Sequence, residues 1–386
     1  MTASPTASDV RSQAPEQLDL RTLLDEVVAA GAPGILARVQ TGAKTLSLES
    51  GVADLRTGAP MKPQLHFRVA SITKSFVATV VLQLVGEGRL GLDDPVDRWL
   101  PSLLPQGNAV TVRQLLNHTS GLPDYLTGSL LQLALTGWAF RPEELVAIAV
   151  SQPPRFPPGT DWSYSNTNYI VAGLIIEKVT GQPIEEELRA RIFHPLKLAD
   201  TTFPNDVRIP APHARGYWFF GDIDLTTALH SSVAWAAGAI ISTAADLARF
   251  YQALLGGRLL HPELLKAMKT TARDASGKDT EFGLGLTRIM IPCGTMWGHF
   301  GSIPSGYQSF AASSSDGTKS AVAMVNIFAR EPVREPFLAA VSAAVCLALG
   351  QPPTAVAIDD VEHLLRLFSD WAPVLDMINT NLTHGS

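Results

Sequence analysis

Residues 71–74 of this 386-residue chain read Ser71-Ile72-Thr73-Lys74, and the stretch 75–85 that follows, SFVATVVLQLV, is apolar and free of Gly and Pro. This composition predicts a helix that begins here. Positions i and i+3 are neighbours on a helix surface, so the amine of Lys74 can reach the hydroxyl of Ser71. A serine hydroxyl is a weak nucleophile that needs an adjacent base, and a desolvated lysine can supply one. The stretch therefore indicates a nucleophilic serine at the start of a helix.

The same four residues also fit a helix-opening serine followed by an ordinary surface lysine, and so short a match does not separate the two interpretations. Two more segments bear on the choice. Tyr164-Ser165-Asn166 places a phenol and an amide on one side of an extended stretch. His299-Phe300-Gly301-Ser302 comes shortly before a β-prone run. Taken separately, the first segment also fits a half-buried Tyr beside a turn Asn, and the second fits a strand His bonded to a neighbour.

In this order the three segments resemble the motifs of the serine β-lactamase and penicillin-binding-protein superfamily. Tyr-Ser-Asn in second place is similar to class C β-lactamases and to their DD-peptidase, esterase and transacylase relatives, and so is the run His118-Thr119-Ser120-Gly121-Leu122-Pro123. The resemblance covers about residues 20–350. It implies a β-lactamase-like fold of the α/β plus α class, in which an antiparallel sheet flanked by helices is built from both termini and a mostly helical domain is inserted.

The resemblance also implies a role for each motif residue. Ser71 would attack a carbonyl while Lys74 and Tyr164 take or relay its proton, and which of the two is the formal base stays open. His299 would support the Tyr164 oxygen or the leaving group. The predicted substrate-binding residues are Asn166, Phe300, Gly301 and Ser302, and the backbone N–H groups of Ser71 and Ser302 would form the oxyanion hole.

The third motif departs from the Lys-Thr-Gly of a class C β-lactamase, because His299 and Phe300 stand in place of Lys and Thr. A mostly neutral imidazole removes a fixed cation from the pocket. We expect Phe300 to remove a hydroxyl and to narrow the pocket with its ring. Both changes disfavour a β-lactam carboxylate and favour a neutral, apolar or ester-bearing acyl donor.

Composition and charge exclude several other classes of protein. Apolar residues make up 46% of the chain and charged residues 17%, which is typical of a globular protein. The net charge of −6 has no basic block behind it, so nucleic-acid binding is not expected. No metal-ligand or nucleotide motif is present, and we predict no metal and no cofactor. Cys293 and Cys346 are far apart in sequence, and we expect each to be a small buried apolar residue rather than half of a disulfide.

The N-terminal residues have no charged segment followed by an apolar one, and no apolar run reaches the roughly 18 residues that span a bilayer. We therefore expect a cytoplasmic protein that does not insert into a membrane.

Periodicity and breakers divide the chain into four parts. We predict a mobile N-terminal segment at 1–17, an α/β domain at 18–75 and 235–350, a helical domain at 76–234, and a C-terminal helical extension at 351–386. The extension is apolar along one stretch but contains Pro373. It fits a helix pair docked on the body or, alternatively, a contact between copies in a homo-oligomer.

The leading functional hypothesis is a serine acyl-enzyme hydrolase or acyltransferase that acts on an ester or amide of a small metabolite or peptide. Water or an amine would be the acceptor, as in a transacylase of antibiotic biosynthesis. The alternatives are a DD-carboxypeptidase or D-aminopeptidase-like peptidase, a weak class C β-lactamase, and an inactive binding protein on the same fold. The intact Ser71, Lys74 and Tyr164 argue against an inactive protein.

Overall fold

The computed structural model describes residues 15–105, 107–218, 223–328 and 331–352, with side chains from residue 19 onward. The predicted mobile segment lies outside this part except at its end, where the first helix begins at Pro15. Residues 353–386 also lie outside it, so the helical extension and the homo-oligomer contact stay predictions.

Nine strands are present in the described ranges, and seven of them form one antiparallel sheet in the order β3-β2-β1-β9-β8-β7-β6. They are β1 (Gly34–Thr41), β2 (Lys44–Asp54), β3 (Ala59–Pro60), β4 (Phe67–Arg68), β5 (Ile241–Ser242), β6 (Thr287–Ile291), β7 (Gly294–Ile303), β8 (Tyr307–Ser313) and β9 (Lys319–Val325). Strand β1 from the N-terminal part pairs with β9 from the C-terminal part, with Ile35 opposite Val325. The prediction of one sheet built from both ends of the sequence is confirmed.

Ten of the twelve α-helices in the described ranges lie between β4 and β6. The twelve are α1 (Pro15–Ala29), α2 (Thr73–Gly86), α3 (Val112–Leu116), α4 (Gly128–Ala134), α5 (Pro142–Val150), α6 (Thr167–Thr180), α7 (Ile184–Leu188), α8 (His194–Leu196), α9 (Trp235–Gly238), α10 (Ala244–Leu255), α11 (Pro262–Met268) and α12 (Arg334–Leu349). Local chemistry sets several of their starts. Pro142 occupies the first turn of α5, and the Thr243 side chain caps α10 by accepting from the Asp246 N–H.

The sheet separates two apolar cores because successive residues of a strand point to opposite faces. On β9, Val322 and Met324 belong to the core shared with α2 and the inserted helices, whereas Ala323 and Val325 belong to the core under α1 and α12. Helix α2 is buried on all sides from Thr73 to Leu82, as expected of a helix with apolar residues around its whole circumference. The start of α2 therefore lies in the interior, between the sheet and the inserted helices.

The expectation that Cys293 and Cys346 are separate buried residues is wrong, because they form a disulfide. Cys293 lies in the β6–β7 turn and Cys346 lies in the last turns of α12, so the bond ties the edge hairpin to the closing helix. The pairing joins elements 53 residues apart, and nothing local in the sequence indicates it.

No helix in the described ranges combines the length and the apolar composition that crossing a bilayer would take.

Candidate active site

Ser71 lies in a single 3₁₀ turn, Ala70–Ile72, that leads directly into α2, and 8% of its surface is exposed. The residue before it, Ala70, has a φ of 49°, in the left-handed region that residues other than glycine seldom adopt. The neighbouring sheet holds this segment in place, since the Ser309 hydroxyl on β8 donates to the Val69 carbonyl oxygen at 3.0 Å. A strained residue fixed beside a hydroxyl of limited exposure is a common feature of catalytic sites.

Lys74 is fully buried, and its ammonium donates to three acceptors. The distances from Nζ are 3.0 Å to Ser71 Oγ, 2.7 Å to Asn166 Oδ1 and 2.8 Å to the Ala237 carbonyl oxygen. The i, i+3 contact predicted from the sequence is therefore present, and the surface-lysine interpretation is wrong. Because each ammonium proton can serve one of these acceptors, Lys74 must release a proton before it can take one from Ser71.

Asp124 extends this network and was missed by the sequence analysis. The Asn166 side-chain amide donates to Asp124 Oδ2 at 2.8 Å, and the Asn166 backbone N–H donates to the same oxygen at 3.2 Å. Burial raises the pKa of the Asp124 carboxyl above its usual value, while these hydrogen bonds and the charge of Lys74 act in the opposite direction. Asp124 follows directly after the run His118 to Pro123, which is the only signal in the sequence that could have pointed to it.

The ring of Tyr164 also lies close to the Lys74 ammonium. The Lys74 Nζ atom is 5.0 Å from the centroid of the Tyr164 ring and 5.5 Å from that of Tyr169. The Tyr164 ring also contacts Phe282, at 5.8 Å between centroids, and His299, at 6.5 Å. The structure thus gathers Ser71, Lys74 and Tyr164 at one place.

His299 is buried, and its Nδ1 is hydrogen-bonded to the carbonyl oxygen of Phe300. A carbonyl can only accept, so this bond assigns the proton to Nδ1. Among the described residues, Nε2 has no hydrogen-bond partner and is left as a buried acceptor. Burial, and then the charge of Lys74, lowers the pKa of His299 to about 3. His299 is therefore neutral at physiological pH, as expected from the sequence.

The prediction that Phe300 narrows the substrate pocket is wrong. Its ring packs against Phe310, with 4.8 Å between centroids, in the core under α1 and α12. The cause is the alternation of side chains along β7, which places Phe300 on the face opposite to His299 and Gly301. Gly301 faces the active site but acts through close packing: a Cβ there would lie 2.1 Å from the Val69 carbonyl oxygen and 2.5 Å from Ser309 Oγ.

A cleft opens beside the nucleophile, and both Ser71 and Ser302 line it. The Ser302 hydroxyl accepts from the Gln308 side chain at 3.3 Å. The larger side chains around the cleft are mostly apolar: Tyr125, Leu126, Leu131, Leu229, Val233 and Ile303. This lining suits an apolar acyl group. Within the described parts of the chain, no group of three or more His, Cys, Asp or Glu residues is placed to hold a metal ion.

Comparisons with known proteins identify the family of the chain. Residues 20–344 match the family model described as Beta-lactamase. Penicillin-binding protein 4* of Bacillus subtilis is 30% identical over 78% of this chain and 69% of its own length. Esterase EstB of Burkholderia gladioli is 38% identical over 45% of this chain and 47% of the esterase. Among solved structures, a D-stereospecific amidohydrolase from Streptomyces sp. is 37% identical, with a TM-score of 0.75 over 85% of this chain and 98% of that chain.

The chain thus spans from about half to about two thirds of the length of these two curated relatives, and nearly all of the amidohydrolase.

Proposed function

The chain belongs to the Beta-lactamase family, a family of serine hydrolases, and from that premise we propose that it cleaves amides and esters. The proposed substrates are small amino acid or peptide derivatives whose acyl part is apolar and bears a free amino group. The observation that carries the proposal is the placement of charge around Tyr164 and Asn166, beside the nucleophile. A neutral His299 stands where the Lys-Thr-Gly pattern has a cation, and the Asp124 carboxylate lies behind Asn166.

In the proposed mechanism, Ser71 Oγ attacks the scissile carbonyl and forms a covalent ester. Once Lys74 has released a proton, the Ser71 proton passes to the pair formed by Lys74 and Tyr164 and then to the leaving amine or alcohol, as the bond between that group and the carbonyl carbon breaks. Water, deprotonated by the same pair, then attacks the ester and releases the acid and free Ser71. Support for this path comes from the 3.0 Å contact between Lys74 and Ser71 and from the Tyr164 ring beside the same ammonium. The backbone N–H groups of Ser71 and Ser302 would hold the developing oxyanion, and such a donor typically contributes about 3 kcal/mol to transition-state stabilisation.

Charge determines which acyl donors the site favours. A carboxylate placed beside the neutral His299 would leave its hydration without gaining a paired cation there, which is costly in a buried site. An ammonium near Asp124 gains a charge-assisted interaction instead. The expectation of weak β-lactam turnover therefore rests on His299, and Phe300 no longer contributes to it.

The relatives lend support to amide substrates of D configuration, since one solved neighbour is described as a D-stereospecific amidohydrolase and another as a D-amino acid amidase from Ochrobactrum anthropi. We extend the D preference to this chain as part of the proposal. Transfer of the acyl group to an amine, including the transacylation in antibiotic biosynthesis considered above, belongs to the same chemistry. The apolar lining of the cleft supports it, because a poorly hydrated site lets a bound amine compete with water.

The test compares kcat/KM for D-phenylalanine amide, its N-acetyl derivative, a neutral short-chain ester and nitrocefin. We expect the free amide to exceed the N-acetyl derivative, and nitrocefin to be slowest. Asp124→Asn keeps an oxygen that can accept from Asn166 but removes the negative charge. It should therefore lower the ratio of kcat/KM for D-phenylalanine amide to kcat/KM for the N-acetyl derivative. Ser71→Ala should abolish turnover and labelling by a fluorophosphonate. Nitrocefin hydrolysis at the level of a dedicated β-lactamase, or an unlabelled wild-type protein, would refute the proposal.

A further inference from the structure

We propose that His118 is the positioning residue that sets the orientation of Tyr164 toward Lys74, an inference that rests on the proposed function for the role of Tyr164. From the sequence, His118 is expected to be a structural residue whose side chain holds a turn in the run that ends at Pro123. In the structure it is buried, with 1% of its surface exposed, and it follows the C-terminal end of α3.

His118 holds the chain on both sides of Tyr164. The Ser163 backbone N–H donates to the His118 carbonyl oxygen at 3.1 Å, and the Ser165 backbone N–H donates to His118 Nδ1 at 3.2 Å. The imidazole also stacks on the Tyr164 ring, with 4.3 Å between centroids and 24° between planes. One residue thus fixes the backbone before Tyr164, the backbone after it and the plane of its ring.

The protonation of His118 is set by its neighbours. The Ser120 hydroxyl donates to Asn168 Oδ1, so the amide nitrogen of Asn168 faces the imidazole, where it lies 3.1 Å from Nδ1. With the Ser165 N–H and the Asn168 amide both directed at it, Nδ1 is an acceptor and the ring proton is on Nε2. Burial, together with the charge of Lys74, also lowers the pKa of His118 well below its ordinary value. The ring therefore stays neutral.

The backbone of His118 is in the left-handed region, with φ of 63°. This conformation is uncommon for residues other than glycine, although Asn, Asp and His adopt it more readily than most. It lets the carbonyl oxygen and the side chain of one residue both contact the segment 163–165. A residue in a strained backbone conformation that holds a proposed proton-transfer group from the backbone on both sides and from its ring is expected of a positioning role.

Two substitutions separate the contribution of the Nδ1 acceptor from that of the stacked ring. His118→Asn tolerates the positive φ and can place an amide oxygen near the position of Nδ1, so it keeps the acceptor and loses the stacked ring. His118→Phe keeps a ring and loses the acceptor. The exposed His261, at the start of α11, gives the matched control His261→Asn.

We expect both His118 variants to lower kcat for the neutral ester by about 10-fold to 100-fold with KM changed less than about twofold, because a small misplacement of a catalytic group is enough for such a loss. The loss in His118→Phe should be the larger. Each should be strongly non-additive with Tyr164→Phe, since both changes act on one group. His261→Asn should behave as wild type. Wild-type kcat in folded His118→Asn and His118→Phe, or losses fully additive with Tyr164→Phe, would overturn the inference.

A readout that does not depend on turnover keeps the two proposals distinguishable. Peptide-level hydrogen exchange over residues 163–168 should accelerate in His118→Phe, remain nearer to wild type in His118→Asn, and be unchanged in His261→Asn. If the wild-type protein is not labelled at Ser71, the proposed function fails while exchange still tests the positioning of Tyr164. Unchanged exchange in a folded His118→Phe protein would refute the positioning role even where the enzyme is active.

Discussion

Gly301→Ala should disable the site although no side chain is removed from it. The alanine Cβ would lie 2.1 Å from the Val69 carbonyl oxygen, a distance that real Cβ atoms essentially never show. To reach 3.0 Å, β7 and the backbone before Ser71 must separate by about 0.9 Å. The Ser309 hydroxyl, 2.5 Å from the same Cβ, would also have to release its bond to Val69. The segment of β7 that would be displaced also carries Ser302.

The magnitude follows from the proposed oxyanion hole. A misplacement of about 1 Å can lower a rate by about 100-fold, and loss of one oxyanion donor lowers kcat by about 100-fold to 1,000-fold. We therefore expect Gly301→Ala to reduce kcat for a p-nitrophenyl ester at least about 100-fold. Ser302→Ala is the matched control, because it removes a hydroxyl bonded to Gln308 but keeps the backbone N–H. Its kcat should fall by less than about 10-fold.

Steady-state kinetics with the ester and the rate of fluorophosphonate labelling at Ser71 measure the effect, and thermal melts show whether each variant is folded. If folded Gly301→Ala retains wild-type kcat and labelling, then β7 does not supply the oxyanion donor and the argument from its packing is incorrect.

Three further predictions concern proton transfer, the disulfide and acid stability. Lys74→Ala and Tyr164→Phe should each lower kcat by orders of magnitude while the double variant is little worse, because groups that act as a unit are non-additive; fully additive losses would show separate roles. Removing the disulfide by replacing Cys293 and Cys346 with Ser should lower the free energy of unfolding by up to about 4 kcal/mol, given the 53-residue separation, and an unchanged melting temperature would mean that the thiols are not bonded. The pKa of His299 is lowered from 6.5 to about 3, so between these pH values the unfolded chain binds a proton that the folded chain does not. As the pH is lowered through this range, the free energy of unfolding should therefore decrease by about 1.4 kcal/mol per pH unit because of this group. Acid unfolding of His299→Gln should accordingly be less steep than that of wild type, and parallel curves would contradict this.

Local geometry explains which parts of the site could be predicted. The contact between Ser71 and Lys74 follows from helix periodicity, which a sequence displays directly. The neutral state of His299 could be expected from its residue type, because burial acts on any imidazole in the same direction. Phe300 was misplaced because the motif was treated as one unit, whereas strand alternation sends adjacent side chains to opposite faces.

Long-range pairings explain what the sequence could not indicate. Asp124 meets Asn166 only because the loop after α3 folds against the start of α6. Cys293 and Cys346 meet only because α12 packs on the sheet beside the β6–β7 turn. In both cases the partner is chosen by tertiary packing, and neither Asp124 nor the two cysteines stand in a motif with a characteristic spacing.

The charges of the site belong together and should not be interpreted one residue at a time. Lys74 is a buried ammonium, and two unit charges 4 Å apart interact by about 4 kcal/mol at an effective dielectric constant of 20. Burial, and then the charge of Lys74, lower the pKa of His299, which is therefore neutral. The opposite charge is supplied by Asp124, which reaches Lys74 through the amide of Asn166. His299 offers no positive charge to a substrate carboxylate. Under the proposed function, an ammonium on the acyl donor would have to lie nearer to Asp124 than to Lys74, because the two cations repel each other.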